Sequence, residues 1–153
     1  MNGLPNDSKL TFDQCWELLA SSVVGRLALV VNGHPEIFPV NFVLERRSLV
    51  FRTAPGTKLW ESTKQGPAAF EIDGYELATQ EAWSVIVRGT TSLIQDPDEQ
   101  AAVDTLGLEP WEPGTKPHYV RLSPQALTGR RFKVNAPDVW NTRTNDQRRA
   151  SFE

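Results

Sequence analysis

The sequence predicts a mainly β, α+β fold: six antiparallel strands curled into a barrel, with three helices packed outside it. Three observations carry that expectation. Short apolar runs of strand length recur along the chain, and the joints between most of them are too short for the crossovers that parallel strands need. Asn32-Gly33, set between two such runs, is among the strongest hairpin signals, and Glu45-Arg46-Arg47-Ser48 forms a second tight turn. Helix punctuation occurs at three places only, early, midway and late, and no internal repeat is visible. With 153 residues the chain has room for one hydrophobic core and little more.

Taken in order, residues 1–9 are a polar lead-in. Thr11-Phe12-Asp13-Gln14 then offers a capping box, and Phe12, Cys15, Trp16 and Leu19 share one helical face at i, i+3, i+4 and i+7. Gly25 to Val31 is the first strand. The second, Glu36 to Leu44, carries Pro39, which cannot donate to a ladder and so places this stretch at an edge, a bulge or a ligand-facing backbone. Leu49 to Thr53 returns as the arm of a hairpin, and a helix from Thr57 through Gln65 is stopped by Gly66-Pro67.

Ala68 to Asp73 is the fourth strand, with Phe70 and Ile72 on one face; Gly74 to Glu81 reads as a loop, and Trp83 to Ile94 as the fifth strand. Asp96 caps the third helix, Pro97 takes its first position, Glu99 completes a capping box and Gly107 ends it. Trp111-Glu112-Pro113-Gly114 is an exposed turn. Tyr119 to Leu122 and Leu127 to Val134 form the last strand, broken near Ser123-Pro124. The domain thus spans 10–135, and residues 136–153 are polar and aperiodic, the composition of a mobile tail.

Chemistry concentrates where the third strand hands over to the second helix. Arg52 brings a guanidinium, Thr53 a hydroxyl and Lys58 a second cation, Ala54-Pro55-Gly56 bends the backbone, and the helix beginning near Thr57 adds free N–H groups: the ingredients of a phosphate cradle. Other chemistries find little support. A net charge of −3 lacks the basic face that nucleic-acid phosphates require. The single cysteine, Cys15, excludes an intrachain disulfide framework and reads as a buried small hydrophobe. His34 and His118 have no partner at metal-ligand spacing, so no metal is expected. No apolar segment reaches the roughly 20 residues that span a bilayer, and the first residues lack a secretory pattern, so we expect a cytoplasmic protein with no membrane partner. No side chain stands out as an obligatory acid, base or nucleophile.

The order Gly25-Arg26-Leu27-Ala28, Pro39-Val40-Asn41-Phe42, Phe51-Arg52-Thr53 with Gly56 and Lys58, Ala69-Phe70-Glu71-Ile72-Asp73, and Trp83-Ser84-Val85 through Gly89 resembles the pyridoxamine 5′-phosphate oxidase-like flavin proteins, over roughly residues 10 to 132. The resemblance implies a split β-barrel that binds FMN in a site shared between the subunits of a homodimer. It implies that Arg52, Thr53 and Lys58 hold the phosphate, that Pro39, Val40, Asn41 and Phe42 run along the isoalloxazine ring, and that Trp83 and Ser84 face the ring or its ribityl chain. Trp111 lies in a loop that reaches across the dimer in similar proteins.

The implied activity is flavin-dependent oxidoreduction of a small-molecule substrate or NAD(P)H. Similar barrels bind the deazaflavin coenzyme as reductases, for whose longer acidic tail Arg46, Arg47, Lys64, Arg130 and Arg131 are the candidates; others would carry flavin or haem without turnover, haem drawing on His34 or His118. The true pyridoxine phosphate oxidases hold substrate with an Arg-x-His pair late in the chain. Gly129-Arg130-Arg131-Phe132-Lys133 has arginines and no histidine, which argues against that vitamin as the substrate.

Overall fold

The computed structural model describes residues 7–63 and 65–134. Its elements are β1 (Asp7–Lys9), α1 (Phe12–Ser21), β2 (Val24–Val31), β3 (His34–Asn41), β4 (Val43–Glu45), β5 (Ser48–Thr53), α2 (Lys58–Thr63), β6 (Gln65–Glu76), β7 (Glu81–Leu93), α3 (Pro97–Asp104) and β8 (His118–Lys133). All pairings are antiparallel, in the order β3-β2-β6-β7-β8-β5-β4, with β1 added on β8. The two ends of that path, β3 and β4, are consecutive in the chain with only Phe42 between them, and the Phe42 N–H donates to the Val23 carbonyl at 3.1 Å. The sheet therefore closes on itself. Counted through the bend at Phe42, β3 and β4 are one strand and the ring has six, the split barrel that the sequence predicts; β1 is a further strand at the end of the lead-in.

Local signals act where the sequence places them. The Thr11 hydroxyl accepts from the Gln14 N–H at 3.2 Å while the Gln14 side chain accepts from the Thr11 N–H at 2.8 Å, closing the capping box of α1. Asn32 and Gly33 both take positive φ, 51° and 79°, the twist-matched turn of a two-residue hairpin. Arg46 and Arg47 adopt the same conformation, φ 48° and 55°, without glycine's freedom. That strained turn is tied by Ser48 Oγ and Arg121 Nη1, both donating to the Glu45 carbonyl. Asp96 caps α3 by accepting from the Glu99 N–H at 3.0 Å.

Several boundaries differ from the sequence reading. α2 ends at Thr63 rather than Gln65, and Gly66-Pro67 lies inside β6 instead of stopping a helix. β6 runs on to Glu76, which shortens the expected loop over Gly74 to Glu81 to the tip of a hairpin. The last strand is continuous through Ser123-Pro124, its irregularity taken up by a bulge opposite Arg88 and Gly89. Gly89 is required there, since an added Cβ would fall 2.0 Å from the Ser123 carbonyl oxygen.

The prolines explain why strands persist where the sequence reads breaks. Pro39 lies on β3, which pairs only with β2 among the described residues; Pro67 lies beyond the last β2–β6 partner, Ala69; and Pro124 lies between the β8 segments that pair β5 and β1. Each sits where its strand has one neighbour, so no ladder needs the missing N–H.

Strand alternation sends Leu27, Leu49, Phe51, Phe70, Ile72, Val85, Val87, Val120 and Leu122 into the barrel, where Cys15 and Leu19 of α1 close the cluster. Burial of each large side chain contributes about 1.5–3 kcal/mol. Phe12, expected on the same helical face, is instead 48% exposed and meets Trp16 edge-on at 5.9 Å. A second cluster, Val50, Ile94, Val103, Leu108 and Tyr119, lies where α3 and the following segment cover the outside of β5 and β8.

Candidate functional site

Successive residues of a strand face opposite ways, and that rule divides the residues expected at the cofactor. Val40 and Phe42 turn inward and are buried, the Phe42 ring meeting Phe70 edge-on at 4.9 Å. Thr53 is likewise buried at 1% exposure, its hydroxyl 3.5 Å from that of Thr57. Trp83 packs against the main cluster over Gly74, where a Cβ would fall 2.5 Å from the indole. Pro39, Asn41 and Ser84 occupy the outward positions, Ser84 standing opposite Asp73 on β6 and Arg130 on β8. Arg52 is also outward, on the side of the barrel away from Thr53. The side chain of Lys58 lies outside the described residues, as does Lys64.

The Arg52 guanidinium has definite partners. Its Nε donates to the Lys116 carbonyl at 2.8 Å and its Nη1 to the Leu108 carbonyl at 3.1 Å, while the Tyr119 ring lies 5.2 Å beneath it. Among the described residues two of the guanidinium's five N–H donors are thereby used and three remain. Nearby, Gly56 at φ 80° makes the bend toward α2, and Thr57 caps that helix, donating to the Ala54 carbonyl and accepting from the Trp60 N–H.

Asn41 reaches the same segment from β3: its Nδ2 donates to the Glu109 carbonyl and its Oδ1 accepts from the Trp111 N–H at 3.3 Å. The Trp111 side chain stands 65% exposed. Leu108, Glu109 and Lys116 contribute through backbone carbonyls, so no side-chain pattern marks them in advance.

Residues of β2, β3, β6 and β7 line a cleft of about 300 Å³, with Ala28 and Ala69 small, Ile37 and Ile86 larger and apolar, and Arg26, Glu71 and Arg88 charged. A second hollow of about 360 Å³, lined by Pro35, Pro67, Gly89 and Gln125, shares Ala28, Ala69 and Arg88 with it. At one end Arg26 bridges Glu71 at 3.2 Å and Asp73 at 3.0 Å. Burial pushes the Glu71 carboxyl up, the neighbouring Asp73 adds to this, and Arg26 opposes both.

Elsewhere, Arg46 pairs Glu45 at 3.0 Å, Arg47 lies over the Phe12 ring, and His118 stacks on Trp60 at 4.5 Å. Burial pushes the Cys15 thiol up, away from the reactive thiolate. This chain's side chains can therefore bind, orient and shield a ligand.

Comparison with known proteins bears on what that ligand is. Residues 11–131 match the family described as pyridoxamine 5′-phosphate oxidase. An FAD-binding protein of Mycobacterium smegmatis is 37% identical, covering 82% of this chain and 98% of that one, with a TM-score of 0.71. A candidate pyridoxamine 5′-phosphate oxidase of Corynebacterium glutamicum is 35% identical over 88% of this chain and 98% of its own, with a TM-score of 0.78. An uncharacterised protein of Mycobacterium tuberculosis is 34% identical over 60% of this chain and 81% of its own.

Proposed function

The chain belongs to the pyridoxamine 5′-phosphate oxidase family, and from that premise we propose that it is a flavin-dependent oxidoreductase, working as a homodimer on a small-molecule substrate or NAD(P)H. The uncovered cleft on the outer face of β2, β3, β6 and β7 carries the reading. Its small residues beside larger apolar ones offer an apolar bed for a planar ring, with charged groups in the same lining. Pro39, Asn41 and Ser84 share that face, and the three unspent donors of Arg52 suit a phosphate.

FMN is the ligand we assign, because its terminal phosphate monoester matches a single guanidinium fork. FAD, bound by the Mycobacterium smegmatis relative, is the competing choice, and the second hollow offers room for its adenosine end. Bound flavin supplies hydride chemistry at its N5 atom. The chain contributes binding, orientation and exclusion of water, and we assign it no catalytic acid, base or nucleophile.

The same face supports the homodimer. Ile37 and Val30 are 68% and 62% exposed on β3 and β2. The Arg26, Glu71 and Asp73 group holds one carboxylate more than it has cations, while Arg88 makes no ion pair among the described residues. A two-fold copy would answer each imbalance with the other.

The test is an absorption spectrum of the protein as purified and after incubation with FMN or with FAD, with the bound mass identified and NAD(P)H oxidation assayed next. Flavin bands with stoichiometric FMN support the reading, and FAD alone would move the choice to the dinucleotide. A protein that refuses both and takes up the deazaflavin coenzyme would overturn it. Flavin bound without turnover would leave a carrier.

A further inference from the structure

The segment between α3 and β8 is thirteen residues long, Thr105 to Pro117, and has no helix or strand. Pro110, Pro113 and Pro117 remove three of its N–H donors, and irregular stretches of this length in compact domains are commonly functional. Its carbonyls must find donors elsewhere. Four of its backbone groups do so on two side chains: Arg52 takes the carbonyls of Leu108 and Lys116, and Asn41 takes the carbonyl of Glu109 and the N–H of Trp111. Within the segment, Lys116 pairs Glu112 at 2.9 Å across the Pro113-Gly114 turn.

We propose that Asn41 and Arg52 are positioning residues that latch the segment Leu108 to Lys116 onto the outside of the barrel, holding Trp111 beside the flavin site and coupling its docking to phosphate binding through the one guanidinium both share. Asn41 comes from β3, which lines the cleft, and Arg52 from β5, the strand to which the phosphate is assigned. A phosphate on the free edge of Arg52 fixes the orientation of the fork that holds the two carbonyls, so ligand and segment stabilise one another, and the coupling is reciprocal. For its ligand this assignment rests on the flavin reading above.

Hydrogen exchange read by mass spectrometry over residues 105–117 tests it. In the protein without flavin, Asn41→Leu is expected to speed exchange of the Trp111 amide on the order of tenfold, one hydrogen bond's worth. Asn41→Asp, which keeps the acceptor and the side chain's size, gives a smaller increase and guards against a fold defect. Arg52→Lys keeps the charge and loses the fork, so it loosens both ends of the segment. In the unsubstituted protein FMN slows exchange of the segment and riboflavin, which lacks the phosphate, does not. Asn41→Leu also speeds FMN release by a similar factor.

Exchange over 105–117 that is unchanged in both Asn41 variants overturns the latch, and equal protection by FMN and riboflavin overturns the coupling. Failure to take up either FMN or FAD removes the flavin reading instead, while the exchange rates of the flavin-free variants still decide the latch.

Discussion

The barrel wears two different outer surfaces. Over β5 and the start of β8, α3 and the following segment cover the sheet, so that β5 is buried on both faces: Val50, pointing outward, is as fully enclosed as Leu49 and Phe51, pointing inward. Polar groups there are satisfied internally. Arg121 lies between Glu45, at 2.6 Å, and Ser48, and the Tyr119 hydroxyl donates to Asp104 at 2.6 Å. On β2, β3, β6 and β7 the outward Ile37 and Val30 meet solvent, and Arg26 makes its ion pairs half in water. The same strand alternation yields a finished surface on one side and an unfinished one on the other. What differs is the cover: the open side offers the cleft proposed for the ring and for the partner, while the phosphate is assigned to Arg52 where the covering segment begins.

Equivalent substitutions on the two sides should separate them. Arg121→Ala takes the mostly buried partner from the Glu45 carboxylate and leaves it only the exposed Arg46, and a loss of about 3 kcal/mol is expected in denaturant unfolding. Arg26→Ala, in an ion pair of the same chemistry but half exposed, should cost less than about 1 kcal/mol. Equal losses would erase the distinction.

Ile37→Asp is expected to leave the fold within about 0.5 kcal/mol, since nothing covers that side chain. Sedimentation should then move from twice 17.1 kDa to the single-chain mass. A variant that stays dimeric would place the interface elsewhere.

The smallest effect concerns Glu71, whose carboxyl titrates above the ordinary glutamate value because burial and Asp73 favour its neutral form. A raised carboxyl binds its proton more tightly in the folded protein than in the unfolded chain, so its contribution is complete below the ordinary value and is lost as pH rises through the raised one. Thermal unfolding of Glu71→Gln should therefore fall off less than that of the parent as pH increases across that window. Parallel curves for the two would remove Glu71 as the titrating group.

Much of the fold was legible because its signals are local. The Thr11 and Gln14 box, the Asn32-Gly33 turn, the Asp96 cap and the burial of Phe70 with Ile72 need only neighbours within a few positions. Gly66-Pro67 misleads because a proline's tolerance depends on how many strands flank it, and at Pro67 only β7 does. In the candidate site, the sequence reading brings Arg52, Thr53 and Lys58 to one point, whereas strand alternation turns Arg52 outward and Thr53 into the core, the consequence of a period of two.

By itself, then, the amino-acid sequence determined the turns, the caps and the in-and-out pattern of each strand, since these rest on torsion preferences and contacts between near neighbours. Tertiary structure alone decided that β3 and β4 close the ring through Phe42, that one outer face is covered and the other left open, and that Arg52 and Asn41 meet backbone groups 56 to 70 positions away. Those contacts exist only once the barrel has closed, because no local preference brings such distant groups within hydrogen-bonding reach.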